Sequence, residues 1–221
     1  LGRCSIDYDK CVSCGQCIVN CPFGAIADKS QIFQLIQAIK RGDEMIAAVA
    51  PAFVGQFGPR VHAEQIKEAM KEMGFAGIYE VAVGADLCTI EEAKDFMEKV
   101  PAEQEWMGTS CCPAWSVMAK KTLPDKAGYI SMTLTPMVLT ARLIKKEHPN
   151  ARVVFIGPCS AKKLEASRRS VRSDVDFVLT FEELRGMLEA KGINLETVKE
   201  EDVSQRFNEG SGDGRGFAVG G

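Results

Sequence analysis

Short, continuously apolar segments alternate with amphipathic segments along most of this 221-residue chain. The apolar segments are typical of short buried strands, and they are EMIAAVAP (44–51), GIYEVAV (77–83), RVVFIG (152–157) and DFVLT (176–180). Apolar residues that recur with a helical period predict helices at 30–43, 63–74, 89–100, 135–148 and 181–192. Strands alternating with helices predict an α/β fold, with parallel sheet flanked by helices.

Local signals refine this prediction. Ser30 is expected to cap the first helix and Gly42 to end it. The helix at 89–100 is expected to begin with an acidic first turn, and Pro113 to begin a further helix after a weak strand, EWMGT (105–109). The acidic, glycine-rich segment 197–221 is expected to be a loop.

Four segments are expected at the carboxyl ends of strands, where α/β folds gather their functional groups. They are APAF (50–53), GADL (84–87), GTSCC (108–112) and IGPCS (156–160). These four loops could converge on one site.

Composition excludes several classes of function. Apolar residues make up 46% and charged residues 26%, as in an ordinary globular protein, and the net charge of −3 argues against nucleic acid or an anionic membrane as partner. The apolar runs are too short for a transmembrane helix, so we expect a cytoplasmic protein. Because the chain starts with Leu1 and ends in GFAVGG, we expect a piece of a longer protein.

Nine cysteines against two histidines indicate that any metal is held mainly by thiolates. CVSCGQCIVNCP (11–22) has the spacing C-x2-C-x2-C-x3-C-P, which is the run that binds a 4Fe-4S cluster in bacterial ferredoxins. The alternative is a zinc knuckle or structural thiols. The cysteines of the run are Cys11, Cys14, Cys17 and Cys21.

The run resembles a bacterial-type ferredoxin module, which implies a small α+β unit at 1–29. In two-cluster ferredoxins the fourth cysteine binds the other cluster, so Cys21 would serve a cluster whose main motif precedes Leu1. The module would then be the second half of a two-cluster domain. Cys4 is either a further ligand or an ordinary thiol.

A second group of thiols follows, with Cys112 and Cys159 each beside a proline at the expected end of a strand. Alone, these would be buried free cysteines. Beside a ferredoxin-type run, they favour a second iron-sulfur site. TSCCPAW (109–115) and PCSAKKLEA (158–166) resemble the first two signature motifs of the iron-only hydrogenases, and the resemblance covers essentially the whole chain.

This resemblance implies an iron-only hydrogenase large-subunit domain at 30–221, cut before its third cysteine motif. The implied cofactor is the H-cluster, a 4Fe-4S cubane joined to a diiron unit that carries CO, cyanide and azadithiolate. Cys112 and Cys159 would be the first two of its four cysteine ligands. The chain as given lacks the other two and cannot complete the cluster by itself.

The implied activity is the reversible reduction of protons to H2, with electrons delivered through 4Fe-4S clusters. Implied partners are an electron carrier such as ferredoxin or a redox subunit, and the maturation proteins that build the cofactor. The alternatives are a sensory hydrogenase of low turnover and a non-catalytic, hydrogenase-like iron-sulfur protein.

The resemblance also implies roles for single residues. Cys111 would pass protons, Lys162 would bind a cyanide, and further relay positions would be Glu92, Ser131 and Glu165. Residues implied beside the cofactor are Ala50, Pro51, Pro136, Met137 and Pro158. On a helix, Glu92 and Asp95 would share one face, and Asp95 replaces the Glu usual in the family.

Two positions depart from the family. Gly157 stands where the family has methionine, so the pocket is either more open there or filled by another group. This departure favours the sensory alternative. Cys88 stands where a threonine is usual, and we expect it to be a small buried residue.

Overall fold

The computed structural model describes residues 5–199 and 207–208. Its helices are α1 (Gln16–Val19), α2 (Ile32–Arg41), α3 (Ala63–Met73), α4 (Ala82–Lys99), α5 (Pro113–Thr122), α6 (Pro136–Glu147), α7 (Ala161–Ser167) and α8 (Phe181–Lys191). Its strands are β1 (Met45–Val49), β2 (Gly77–Glu80), β3 (Arg152–Gly157), β4 (Phe177–Thr180) and β5 (Phe207–Asn208). Cys4 lies outside the described residues, as do residues 200–206 and 209–221 of the expected carboxyl-terminal loop.

The strands form one parallel sheet in the order β4-β3-β1-β2-β5. The central strand β1 is buried along its whole length, which explains its continuously apolar sequence. Ala48 is aligned with Tyr79 on one side and with Phe155 on the other. The predicted α/β fold with a parallel sheet flanked by helices is confirmed.

Residues 5–29, the described part of the amino-terminal segment, form turns and the short helix α1, and polar contacts fix this segment to the rest of the molecule. The Lys163 ammonium lies 2.6 Å from Asp28 and 2.8 Å from Glu183. The Gln31 side chain accepts a hydrogen bond from the Val178 N–H of β4 at 2.7 Å. The cysteine-rich segment therefore lies against α7 and the β4 side of the sheet.

Two local predictions were wrong, and a third differs by one residue. The Ser30 hydroxyl accepts from the Ile32 N–H in the first turn of α2, as a capping side chain does, although the N-cap of α2 is Gln31. The expected strand EWMGT forms only a single bridge, between Gly108 and Ile130. Within the expected terminal loop, β5 pairs with β2. The predictions of Gly42 at the end of α2 and of Pro113 at the start of α5 are confirmed.

The helix predicted at 89–100 begins earlier, at Ala82, so GADL (84–87) lies inside α4 rather than in a loop. A Cβ added at Gly84 would lie 2.3 Å from both the Pro136 carbonyl oxygen and Thr140 Oγ1. The periodicity of residues 82–88, which are mostly apolar, does not distinguish a helix from a strand, and their close packing against α6 accounts for the helix. As a result, Glu92 lies in the middle of α4 and not in its first turn.

No helix in the described part of the chain is long and apolar enough to cross a membrane.

Candidate functional site

Two cysteines stand just before neighbouring helices. Cys112 is the N-cap of α5, and Cys159 lies just before Ser160, the N-cap of α7. Helices α5 and α7 pack against each other. Between the two segments, Lys162 Nζ donates a hydrogen bond to the Cys111 carbonyl oxygen at 2.8 Å. The fold therefore brings together two motifs that are distant in sequence.

Lys162 is held in place by a buried carboxylate. Its Nζ lies 2.7 Å from Glu165 Oε2, and Thr135 Oγ1 donates to Glu165 Oε1 at 2.7 Å. Glu165 is only 3% exposed, so both of its oxygens are satisfied away from solvent. This arrangement fixes a cation beside Cys111.

The Cys111 thiol lies in an electrostatically mixed environment. Burial is the main cause that raises its pKa, while the nearby Lys162 ammonium and a hydrogen bond from Thr109 lower the pKa, and the charges of Glu92 and Cys112 raise it. Cys111 is therefore a protonated thiol beside both an acid and a cation, as a proton donor and acceptor requires.

Cys88 lies one turn before Glu92 on α4 and is 1% exposed. The prediction of a small buried residue is confirmed. Burial raises the pKa of the Cys88 thiol to about 12, with further contributions from Glu92 and Cys111. Cys88 thus stays protonated, and it is a further buried group beside Glu92.

Glu92 is a buried acid, with 6% of its surface exposed. Burial raises its pKa and the charge of Asp95 adds to this effect, whereas a hydrogen bond from the Ser110 backbone N–H opposes it. Oε1 has no hydrogen-bond partner among the described residues. An acid with a free oxygen near a thiol is suited to exchange protons with it.

Replacing Glu92 with Gln should stabilise the fold above pH 4.5, the pKa of an ordinary Glu. Because the folded-state pKa is raised, the folded protein keeps a proton that the unfolded chain has released. Stability therefore falls as the pH rises from 4.5 through the folded-state pKa. The Gln side chain stays neutral, so Glu92→Gln should be more stable than the unmodified protein in urea unfolding at pH 8. At pH 4 the Glu92 carboxyl is mostly protonated in both states, so the gain should disappear. The exposed neighbour provides the control, Glu91→Gln. An equal gain at both pH values would contradict the expectation.

Ser131 is 1% exposed and connects to a second acid of α4. Its Oγ lies 3.3 Å from Asp95 Oδ2 and 3.0 Å from Thr133 Oγ1. Asp95 in turn forms a 2.5 Å ion pair with the partly exposed Lys99. These contacts lead from a buried hydroxyl to the surface.

Among the residues implied by the sequence, Glu165 does not contact Ser131 directly, but both line one cavity of about 150 Å³. The sequence predicts Asp95 on the helix face of Glu92 but gives it no relay role, and it does not single out Lys99. The spacing of four residues between Asp95 and Lys99 on a helix is the signal for their contact.

Gly157 ends β3 beside the first turn after β1. A Cβ added there would lie 2.6 and 2.8 Å from two ring carbons of Phe155, and 3.3 Å from the Ala50 Cβ. The buried ring of Phe155 therefore fills the space beside Gly157, so the pocket is not more open at this position. Pro51 follows Ala50 in a 3-10 helix, Pro51–Phe53.

Gly157→Ala should destabilise the protein by roughly 1–3 kcal/mol, because the new methyl group overlaps the Phe155 ring. Combining it with Phe155→Leu should recover part of this loss, with a coupling of about 0.5–3 kcal/mol in a double-mutant cycle measured by urea unfolding. Strict additivity of the two changes would contradict the contact.

The three remaining residues implied beside the cofactor differ in burial. Pro136 and Met137 begin α6 and are buried, and Met137 belongs to the main hydrophobic core. Pro158 is exposed immediately before Cys159.

Backbone N–H groups point to two of the amino-terminal cysteines, Cys11 and Cys21. The Ser13 N–H points to Cys11 Sγ at 3.4 Å, and the Ala25 N–H points to Cys21 Sγ at 3.3 Å. Hydrogen bonds from backbone N–H groups, with that of Ala25 contributing most, lower the pKa of Cys21. Inward-directed N–H groups stabilise thiolates and sulfides, as an iron-sulfur site requires.

Comparison with known families assigns the chain. The family described as "Iron only hydrogenase large subunit, C-terminal domain" matches residues 43–221, and the "4Fe-4S binding domain" family matches residues 5–27. The chain belongs to the iron-only hydrogenase family.

Similar proteins fall into two groups. "Iron hydrogenase 1" of Clostridium pasteurianum is 29% identical over 90% of this iron-only hydrogenase chain and 38% of its own length. "Cytosolic Fe-S cluster assembly factor narfl" of Xenopus tropicalis is 24% identical over 94% of the chain and 50% of its own length. The chain thus spans half or less of these relatives.

A solved FeFe-hydrogenase, the structure of HydA(deltaEFG) described in a study of stepwise H-cluster assembly, has the same fold. Its TM-score is 0.69 at 27% identity, and the match covers 83% of this chain and 50% of that one. The fold of this iron-only hydrogenase chain is therefore the expected one, and the family match at residues 5–27 is consistent with a ferredoxin-like amino-terminal segment.

The donor groups present fit iron-sulfur clusters. No three His, Cys, Asp or Glu side chains within residues 5–199 come close enough to hold a single metal ion. A cubane differs, because each thiolate binds a separate iron at its own corner. Around Cys112, the amino end of α5 and the Lys162 ammonium favour an anionic group.

Proposed function

We propose that the full-length protein is a catalytic iron-only hydrogenase that interconverts H2 with protons and electrons. The observation that carries this proposal is the buried group around Cys111, in which a thiol, the acid Glu92 and the Lys162 ammonium lie together.

In this proposal Cys112 and Cys159 would hold the cubane of the H-cluster, together with two further cysteines of the full-length protein. Cys11, Cys14 and Cys17 hold a ferredoxin-type 4Fe-4S cluster, and Cys21 serves a neighbouring one. The domain division at 1–29 and 30–221 belongs to the same proposal. When bound, the diiron unit supplies an open metal site and an amine base for splitting H2.

The chain's own residues move the protons. In this proposal the Cys111 thiol donates a proton toward the site and takes up another from Glu92, whose raised pKa lets this acid keep a proton at a higher pH than an exposed Glu does. Asp95, whose charge acts on Glu92, is hydrogen-bonded to Ser131, and its ion pair with Lys99 reaches solvent. The thiol, the hydroxyl and the two carboxylic acids can each give and take a proton, and the Lys99 ammonium completes the path at the surface.

Other residues position and shield. Lys162, held by Glu165, presents a cation to an anionic ligand of the cofactor. The residues that would line the site and exclude water are Ala50, Pro51, Pro136, Met137 and Pro158. Electrons would come from a carrier such as ferredoxin or a redox subunit, and maturation proteins would install the diiron unit.

A second candidate function has support from the relatives named as cluster assembly factors. In that case the protein would keep cubane clusters without a diiron unit and without turnover. A sensory hydrogenase of low turnover is the third candidate, and Gly157 favours it.

The full-length protein, matured with the diiron unit, separates these candidates. Infrared bands of bound CO and cyanide, together with H2 evolution from reduced methyl viologen well above background, are the expected result. Absence of the bands would favour the assembly-type function. Bands with near-background H2 evolution would favour the sensory function, and either outcome would overturn the catalytic proposal.

A further inference from the structure

The loop that carries the first cysteines is held from two sides. On one side, Lys121 Nζ donates hydrogen bonds to the carbonyl oxygens of Tyr8 at 3.1 Å and Cys11 at 2.9 Å. On the other, a Cβ added at Gly15 would lie 2.6 Å from Ser160 Oγ. The loop is therefore in direct contact with both segments that bear the second pair of cysteines.

Lys121 and Ser160, which contact the loop, belong to the two helices whose amino ends lie at Cys112 and Cys159. Lys121 lies near the end of α5, and the N-cap of α5 is Cys112. Ser160 follows Cys159 directly and is the N-cap of α7. A ten-residue helix is stiff, so a contact at its far end fixes the position of the cysteine loop relative to Cys112.

Lys121 also places a positive charge at the loop. Its ammonium is bound to the carbonyl of Cys11 itself, whereas the loop's own Lys10 faces Asp7 at 3.7 Å. Reduction of a 4Fe-4S cluster adds one negative charge, and nearby charge and hydrogen bonding set its potential. A cation held by two hydrogen bonds favours the reduced form, although the exposure of Lys121 screens part of this effect.

We propose that Lys121 is a positioning residue for electron transfer. It holds the cysteine loop against α5 through its two hydrogen bonds, and it raises the reduction potential of the cluster that the loop binds. This inference rests on the proposed ligation of a 4Fe-4S cluster by Cys11, Cys14 and Cys17. It does not depend on hydrogen turnover, because the cluster can be studied without the diiron unit.

The test is a potentiometric titration of full-length protein produced without maturation, followed by electron paramagnetic resonance. The signal of the ferredoxin-type cluster is assigned by its loss in Cys14→Ser. Lys121→Met removes both the charge and the donor, and the potential should shift to more negative values. Lys121→Arg keeps the charge and the donor, and should restore the potential of the unmodified protein.

The matched control is Lys120→Met, which removes a neighbouring exposed charge from the same helix. It should shift the potential less than Lys121→Met does. An unchanged potential in Lys121→Met, or an equal shift in the control, would overturn the proposal. If Lys121→Met assembles no cluster, recovery of iron and signal in Lys121→Arg supports the proposed role of Lys121, and loss in both variants refutes it. A protein that holds the cluster but evolves no H2 would contradict only the catalytic function.

Discussion

Replacing Cys111 with serine in the matured, full-length protein should lower H2 evolution by roughly 10²–10⁴-fold, the range typical of a lost acid–base group. The physical reason is that a serine hydroxyl is a much weaker acid than a thiol and cannot release its proton to the site at neutral pH. The iron content should stay the same, because Cys111, which interacts with Glu92 and Lys162, is not a proposed ligand of the cubane. Dye-linked H2 evolution and iron analysis measure the two quantities.

The neighbouring thiol provides the control. Cys112→Ser should lose iron as well as activity, because it removes a proposed ligand of the cubane. Equal iron loss in both variants would show that Cys111 is also a ligand, and normal turnover in Cys111→Ser would remove it from the proton path. The two adjacent cysteines therefore allow metal binding and proton transfer to be tested one at a time.

Replacing Gly84 with alanine should destabilise the fold by roughly 1–3 kcal/mol, because the added methyl group would overlap the backbone of α6. It would lie 2.3 Å from the Pro136 carbonyl oxygen and from Thr140 Oγ1. Helix propensity alone predicts the opposite sign, a gain of about 1 kcal/mol over glycine. The urea midpoint of unfolding decides between the two effects.

Gly186, in the interior of α8, is the matched control, since nothing lies within 4 Å of an added Cβ there. Gly186→Ala should raise stability by about 0.5–1 kcal/mol, as propensity predicts. A stabilising Gly84→Ala would contradict the close crossing of α4 and α6, whereas opposite signs in the two variants would support it. The crossing matters for function because α4 carries Glu92 and Asp95, and Pro136 begins α6.

Much of the fold followed from local pattern. The strands β1, β3 and β4 and the helices that begin at Pro113 and Pro136 were predictable because apolar period, proline and glycine act within a few residues. The start of α4 was not predictable, since residues 82–88 are mostly apolar and have no decisive period, and they pack as a helix against α6. Strand β5 was missed because two residues leave no pattern and depend wholly on β2 as partner.

The site divides in the same way. Spacing alone identified the cysteine run at 11–22 as an iron-sulfur motif, because a cubane needs several thiolates within one tight loop. Resemblance extended this to Cys111, Cys112 and Cys159, and it left Gly157 unexplained. The structure supplied the reason, since the Phe155 ring, two residues earlier on the same strand face, occupies the space beside it.

The sequence by itself determined the α/β class, the thiolate chemistry and the family, because these depend on residue types and on spacing along the chain. Only the tertiary structure decided that Glu92 is buried beside Cys111, that Asp95 rather than Glu165 contacts Ser131, and that Lys121 holds the first cysteine loop. The reason is physical: burial and hydrogen bonding depend on distances between elements far apart in sequence, and no local pattern encodes those distances.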